Sequence, residues 1–225
     1  MPQPPIALVV AAAYDNAAWC AAVCRANGIG SRMRDGLWIA DAPTPDGYPE
    51  AVTLAPGLSP DRIAEALPAG ATSVKDSFAD LDLDGLGFRV LFEASWITSR
   101  PEAERASWPE APQSPLHALS TTQELSEWTE VHGGSAFSPA LLHDPSVVIL
   151  GGGTPLAGGA VLTDAGEVVG VSNVFGGASA YRAATAEAAN RFPGRALVGW
   201  EAGDDLATAA EAGFAAIGDL RVWMR

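Results

Sequence analysis

A chain of 225 residues with 48% hydrophobic residues and a formal charge of −14 has material for a sizeable core and no bias toward disorder. Divided after Arg105, it carries 8 basic and 14 acidic residues before the cut and 5 and 13 after it, so a broad phosphate-backbone footprint is not expected in either half. Cys20 and Cys24, with the scattered His117, His132 and His143, form no metal-ligand spacing; no metal site is expected, only two reduced, buried thiols.

The opening, MPQPPIALVVAAAYDNAAW, has no basic leader, and no apolar run is expected to reach the roughly 20 residues of a bilayer span, which implies a cytoplasmic protein without a signal peptide. AAWCAAVCRANG has helical spacing and stops at Gly28, a C′ glycine, with Asp15 or Asn16 as the simplest N-cap. GLWIAD and EAVTLA predict short strands around the turn APTPDGYP, and SPDRIAEAL predicts a helix capped by Ser59 with Pro60 at its first position. FRVLFEASWIT is the strongest strand of the first half. Residues 99–120, with four prolines, read as a linker.

TTQELSEWTEVHGG predicts a capped amphipathic helix, and SVVIL, LAGGAVLT and EVVGVSNVF predict three strands, the last two joined at TDAGE. ASAYRAATAEAANRF (helix), RALVGWE (strand), GDDLATAAEAGF (helix) and DLRVWMR (strand) complete an α/β order around one mixed sheet. The glycines at 151–153 read as a loop, and no GxSxG elbow, phosphate-binding glycine loop or dinucleotide fingerprint is present.

This order, with its glycine turn between strand and helix and its final AGF…LRVW, resembles the GNAT-type acyltransferase superfamily. The likeness is to degenerate, two-part GNAT-like proteins of actinobacterial type. It rests on DNAAWCAAVCR, SVKDSFA and VLFEASWI in the first half and on FSPALLHDPSVVIL, VGVSNVF and LRVW in the second. It implies two halves in tandem (1–105 and 121–225, with 106–120 between), the first a worn copy of the second.

The resemblance further implies that VGVSNVF, with Asn173, Val174 and Phe175, splays from its neighbour to grip an acyl-CoA arm. The turn of Gly176, Gly177 and Ser179 would meet the pyrophosphate at a helix N-terminus. The usual leading Arg or Gln of that turn is missing, leaving Arg182, in the first helical turn, to supply a charge or simply to be solvated. The tyrosine that such enzymes place before the final GF is missing too; Ala209 stands there.

Glu201, ending RALVGWE, reads either as a general base or as a cap for the helix at GDD. Glu93, between apolar neighbours, reads as the ion-pair partner of Lys75, the only lysine, or with it as a pocket floor, and stands beside Glu201 as the other possible catalytic base. Lys75, Asp76, Ser77 and Trp96 are then the acceptor-pocket residues, walled by the first half, while Trp19, Trp96, Trp128 and Trp200 read as core first and pocket walls second. His132 reads as a base or, beside Gly133, as a helix C-terminal cap.

The function this implies is acyl transfer from a thioester, acetyl-CoA by default, or a comparable ester to a small-molecule amine. Two alternatives stand beside it: a non-catalytic small-ligand-binding module, and a transferase using an aminoacyl-tRNA donor, which the acidic charge disfavours.

Overall fold

The computed structural model describes residues 6–99 and 115–225. Helix α1 (Ile6–Ala26) is longer than its pattern suggests, because nothing before Gly28 interrupts its alanine-rich run. Gly28, at φ 76°, ends it in a Schellman turn: Ile29 N–H donates to Cys24 and Gly28 N–H to Arg25. Asp15 and Asn16 are therefore not caps. They lie buried in mid-helix, facing the sheet. Among the described residues, α1 is also the helix whose 21 residues are long and apolar enough to cross a membrane, contrary to expectation. Here Ala12, Ala13 and Ala17, small enough for close approach, pack it onto the sheet.

Strands β1 (Ser31–Arg34), β2 (Leu37–Ala40), β3 (Ala51–Thr53), β4 (Ser73–Asp76), β5 (Arg89–Ser99), β6 (His117–Ala118), β7 (Val147–Gly152), β8 (Gly158–Asp164), β9 (Val169–Phe175), β10 (Leu197–Glu201) and β11 (Phe214–Met224) form one eleven-stranded sheet. Its order is β1-β2-β3-β4-β11-β5-β10-β9-β8-β7-β6. Helix α2 (Pro60–Ala66) connects β3 to β4, α3 (Thr122–His132) precedes β7, α4 (Gly177–Arg191) connects β9 to β10, and α5 (Gly203–Glu211) connects β10 to β11. The expected caps are present: Ser59 accepts from Arg62 N–H, and Thr121 with Glu124 forms a reciprocal capping box. The linker expectation is trimmed at its end, since His117 and Ala118 pair with Gly151 and Leu150. Gly151 and Gly152 end β7, paired with Gly159 and Gly158 of β8, where a loop was expected; residues 100–114 lie outside the described residues.

The two stretches mirror each other about the middle of the sheet. In each, a helix joins two parallel strands: β3 to β4 through α2, and β9 to β10 through α4. Each stretch then sends its last long strand into the other. β11 lies between β4 and β5, and β5 lies between β10 and β11.

The parallel pairs differ where function is expected. β3 and β4 are joined at Ala51–Val74 and Val52–Lys75, and Ser77 N–H then donates to Thr53 Oγ1 at 2.8 Å, holding the pair closed. β9 and β10 are joined only at Val169–Leu197 and Gly170–Val198. Past these residues they diverge, and Ser172, Asn173 and Val174 on one side face Trp200 and Glu201 on the other across a cavity.

Candidate functional site

A cavity of about 360 Å³ occupies this gap. β9 supplies one wall, and its register there is irregular: Gly159 pairs with Phe175 but Val161 with Ser172, so β9 holds one residue more than β8. Asn173 sits in this bulge at φ 53°, a left-handed conformation that asparagine tolerates, and its Nδ2 donates to Ser172 Oγ at 2.9 Å. A bulge frees a backbone N–H and C=O from the ladder, here along the strand that borders the cavity.

β10 supplies Trp200 and Glu201. Glu201 does not cap α5, because Ala202 holds that position and no side chain caps the helix. Instead its Oε1 accepts the Tyr181 hydroxyl from α4. Burial pushes the Glu201 carboxyl up to about 7, against the Tyr181 hydrogen bond and the Lys75 charge, which lower it; Asp205 adds to the rise. Tyr181 itself is pushed above the ordinary phenol range by burial and by the carboxylate it faces.

β4 supplies Lys75 from the first stretch. Its Nζ donates to Asn16 Oδ1 at 3.0 Å and lies 4.0 Å from the Trp200 ring centroid, and burial draws its pKa down to about 8. Lys75 therefore does not pair with Glu93. β5 aligns Glu93 with Arg221 of β11, whose Nε donates to it at 3.0 Å, and the Glu93 side chain is 69% exposed. The apolar neighbours misled because Val90 and Leu91 are themselves exposed. Glu93 borders a separate cavity of about 480 Å³ near the start of α5 and does not line the one that holds Glu201, so it is not placed there as a second base.

Of the other expected acceptor residues, Asp76 and Ser77 do not line the Lys75 cavity. Side chains alternate along β4, so Asp76 turns away from Lys75 and accepts from Phe78 and Leu81 N–H, holding the following loop. Trp96 donates its ring N–H to the Ser77 carbonyl at 2.7 Å and is core. His132 ends α3 stacked on Trp128, with Nδ1 accepting from Gly134 N–H at 3.2 Å; burial holds its pKa below the usual value, and its ring borders the cavity.

The turn after β9 is a glycine turn at the start of α4. Gly176 has φ 99°, and a Cβ there would lie 2.7 Å from the Ala157 carbonyl oxygen, so only glycine fits. No side chain caps α4, and space beside Gly177 is open. The Ser179 hydroxyl bonds back to the Gly176 carbonyl. Arg182 lies in the second helical turn, not the first, and its guanidinium donates to the Glu211 carbonyl.

Sequence reasoning missed Tyr181, bonded to Glu201, and Asn16, Asp46, Tyr48 and Asp205 on the cavity lining. Tyr181 alone had a legible signal: a lone tyrosine in an alanine-rich helix just past a glycine turn. Further in, Asp15 sits over the start of the gap. Burial pushes its carboxyl up, its Oδ1 accepts from Gly170 N–H at 3.0 Å, and a Cβ on Gly170 would lie 1.8 Å from its Oδ2.

No model of a protein family matches the chain, and no curated protein matches it. Solved structures do. A GCN5-related N-acetyltransferase from Kribbella flavida superposes with a TM-score of 0.59 at 16% identity, over 95% of each chain. A protein described as an acetyltransferase of the GNAT family, from Novosphingobium aromaticivorans, gives 0.57 at 15% identity, over 95% of this chain and 98% of that one. A conserved protein of unknown function from Staphylococcus epidermidis gives 0.56 at 9%, over 88% and 94%. The fold is that of GNAT acetyltransferases, with a mixed sheet running through two stretches.

Proposed function

We propose that this protein transfers an acyl group from a thioester, acetyl-CoA by default, to the amine of a small molecule. The observation that carries the proposal is the divergence of β9 from β10 onto a cavity containing Glu201, a carboxyl tuned to about 7. The residues suit an acyl-CoA donor. The bulged edge of β9 has backbone groups to receive the amide-bearing arm, and the uncapped N-terminus of α4 at Gly176 and Gly177 suits a pyrophosphate. Bound there, such a donor supplies an activated carbonyl.

Glu201 accepts a proton from the acceptor's ammonium. The amine nitrogen then forms a bond to the acyl carbon as the carbon–sulfur bond breaks, and the nitrogen's second proton is given up as the departing thiolate takes one up. Ala209, buried on α5, leaves that last proton to solvent or to the acceptor, which a thiol leaving group tolerates. Holding the two reactants in one gap does most of the catalytic work.

The test is calorimetric titration with CoA and acetyl-CoA, followed by thiol release with a pool of small amines. Binding together with amine-dependent thiol release is expected. No heat at millimolar CoA or acetyl-CoA would sink the default donor.

A further inference from the structure

The charges facing the cavity are of both signs. Asp46, Glu201 and Asp205 bring carboxylates, and among the described residues Lys75 is the one lysine or arginine on the lining; His132, its pKa lowered, is neutral at neutral pH. A plain amine would be satisfied by the carboxylates alone. Lys75 would then be a liability, because it is only 3% exposed and buried charge is costly unless fully partnered. An ammonium has three donors. Asn16 takes one and the Trp200 face meets another, and the third has no hydrogen-bond partner among the described residues. Lys75 reaches the cavity from β4, on the stretch whose own parallel pair is closed, so it serves the gap opened by the other stretch.

We propose that the acceptor is a small zwitterion, an amine with a carboxylate close by as in an α-amino acid, whose carboxylate is received by Lys75 while its ammonium meets Glu201 and Asp205. This rests on the acyl-transfer proposal for the same cavity. The product is an N-acyl amino acid and the free thiol. A cavity of about 360 Å³ suits an acceptor of this size beside the reactive end of a donor.

The experiment is ligand-induced melting shift and calorimetry, with CoA present, across the common α-amino acids, their decarboxylated amines and their methyl esters. At least one amino acid is expected to bind about tenfold or more tightly than its amine or ester, the loss of one charged hydrogen bond. Lys75→Met is expected to erase that preference. Amines or esters binding as tightly as the acids, or no amino acid binding at all, would overturn the proposal. Should Lys75→Met fail to fold, the ester comparison decides the matter in the unaltered protein. Thiol release with carboxylate-free amines alone would keep acyl transfer and discard the zwitterion. Acid-selective binding without thiol release from any thioester would keep the Lys75 site and discard acyl transfer.

Discussion

Glu201→Gln is expected to stabilise the protein in a pH-dependent way while abolishing its proposed chemistry. The carboxyl rises from an ordinary 4.5 to about 7 on folding. A raised pKa means that the folded state holds its proton more tightly than the unfolded state. The stability this contributes is present in full below pH 4.5 and is lost as pH climbs through 7. At about 1.36 kcal/mol per unit, the ionised group withdraws about 3 kcal/mol by pH 8.5. Glutamine never ionises and still accepts the Tyr181 hydroxyl, so the variant is expected to match the wild type near pH 4.5. By pH 8.5 it should melt roughly 6–12 °C higher. Turnover is expected to fall by about 10²–10⁴. Thermal melts of both proteins from pH 4.5 to 8.5, run beside thiol-release rates, make the measurement. A gain independent of pH, or no gain at 8.5, would refute the burial of a titrating Glu201; undiminished turnover would refute its role as base.

Tyr181→Phe removes the hydrogen bond that favours ionised Glu201, and the acidic limb of the pH–rate profile is expected to move up by about one to two units; a limb that stays or moves down contradicts this. Gly176→Ala forces a Cβ to 2.7 Å from a backbone oxygen at φ 99°, and is expected to weaken CoA binding at least about tenfold by calorimetry, together with a loss of about 1–3 kcal/mol in denaturant melts. Gly170→Ala drives a Cβ into Asp15 and is expected to cost about 1–3 kcal/mol, less in combination with Asp15→Ala; additive losses would show that the two sites do not meet. Cys20, fully buried and pushed up to about 12, is expected to resist alkylation at pH 8 until the protein is denatured, as mass spectrometry would show.

Much of this was legible in the sequence where local chemistry decides. Gly28, Ser59 and the Thr121–Glu124 box marked helix ends because caps act over four residues, and VGVSNVF followed by two glycines marked the strand that borders the cavity and the turn after it. What escaped depends on pairing between distant strands. Glu93 read as buried because its neighbours are apolar, yet its face of β5 is uncovered and its partner Arg221 lies 128 positions away. Asn16 read as a cap, because the length of α1 is set by packing on the sheet and not by a stop signal. Lys75 was singled out correctly as unusual, but its partners Asn16 and Trp200 follow from a topology that period-two and helical patterns do not carry.

The exchange of β5 and β11 across the middle of the sheet has a consequence for how the chain is made. β11 leaves the ribosome well after β4 and β5, and until it does each of them presents an unpaired edge. The early stretch therefore waits, with half its pairing unmet, for a segment translated more than a hundred residues later. In this it behaves like one subunit of a strand-swapped dimer whose partner is tethered to it. Tethering replaces a search between molecules with a search along one chain, and a stop codon placed just before Phe214 would expose both edges at once.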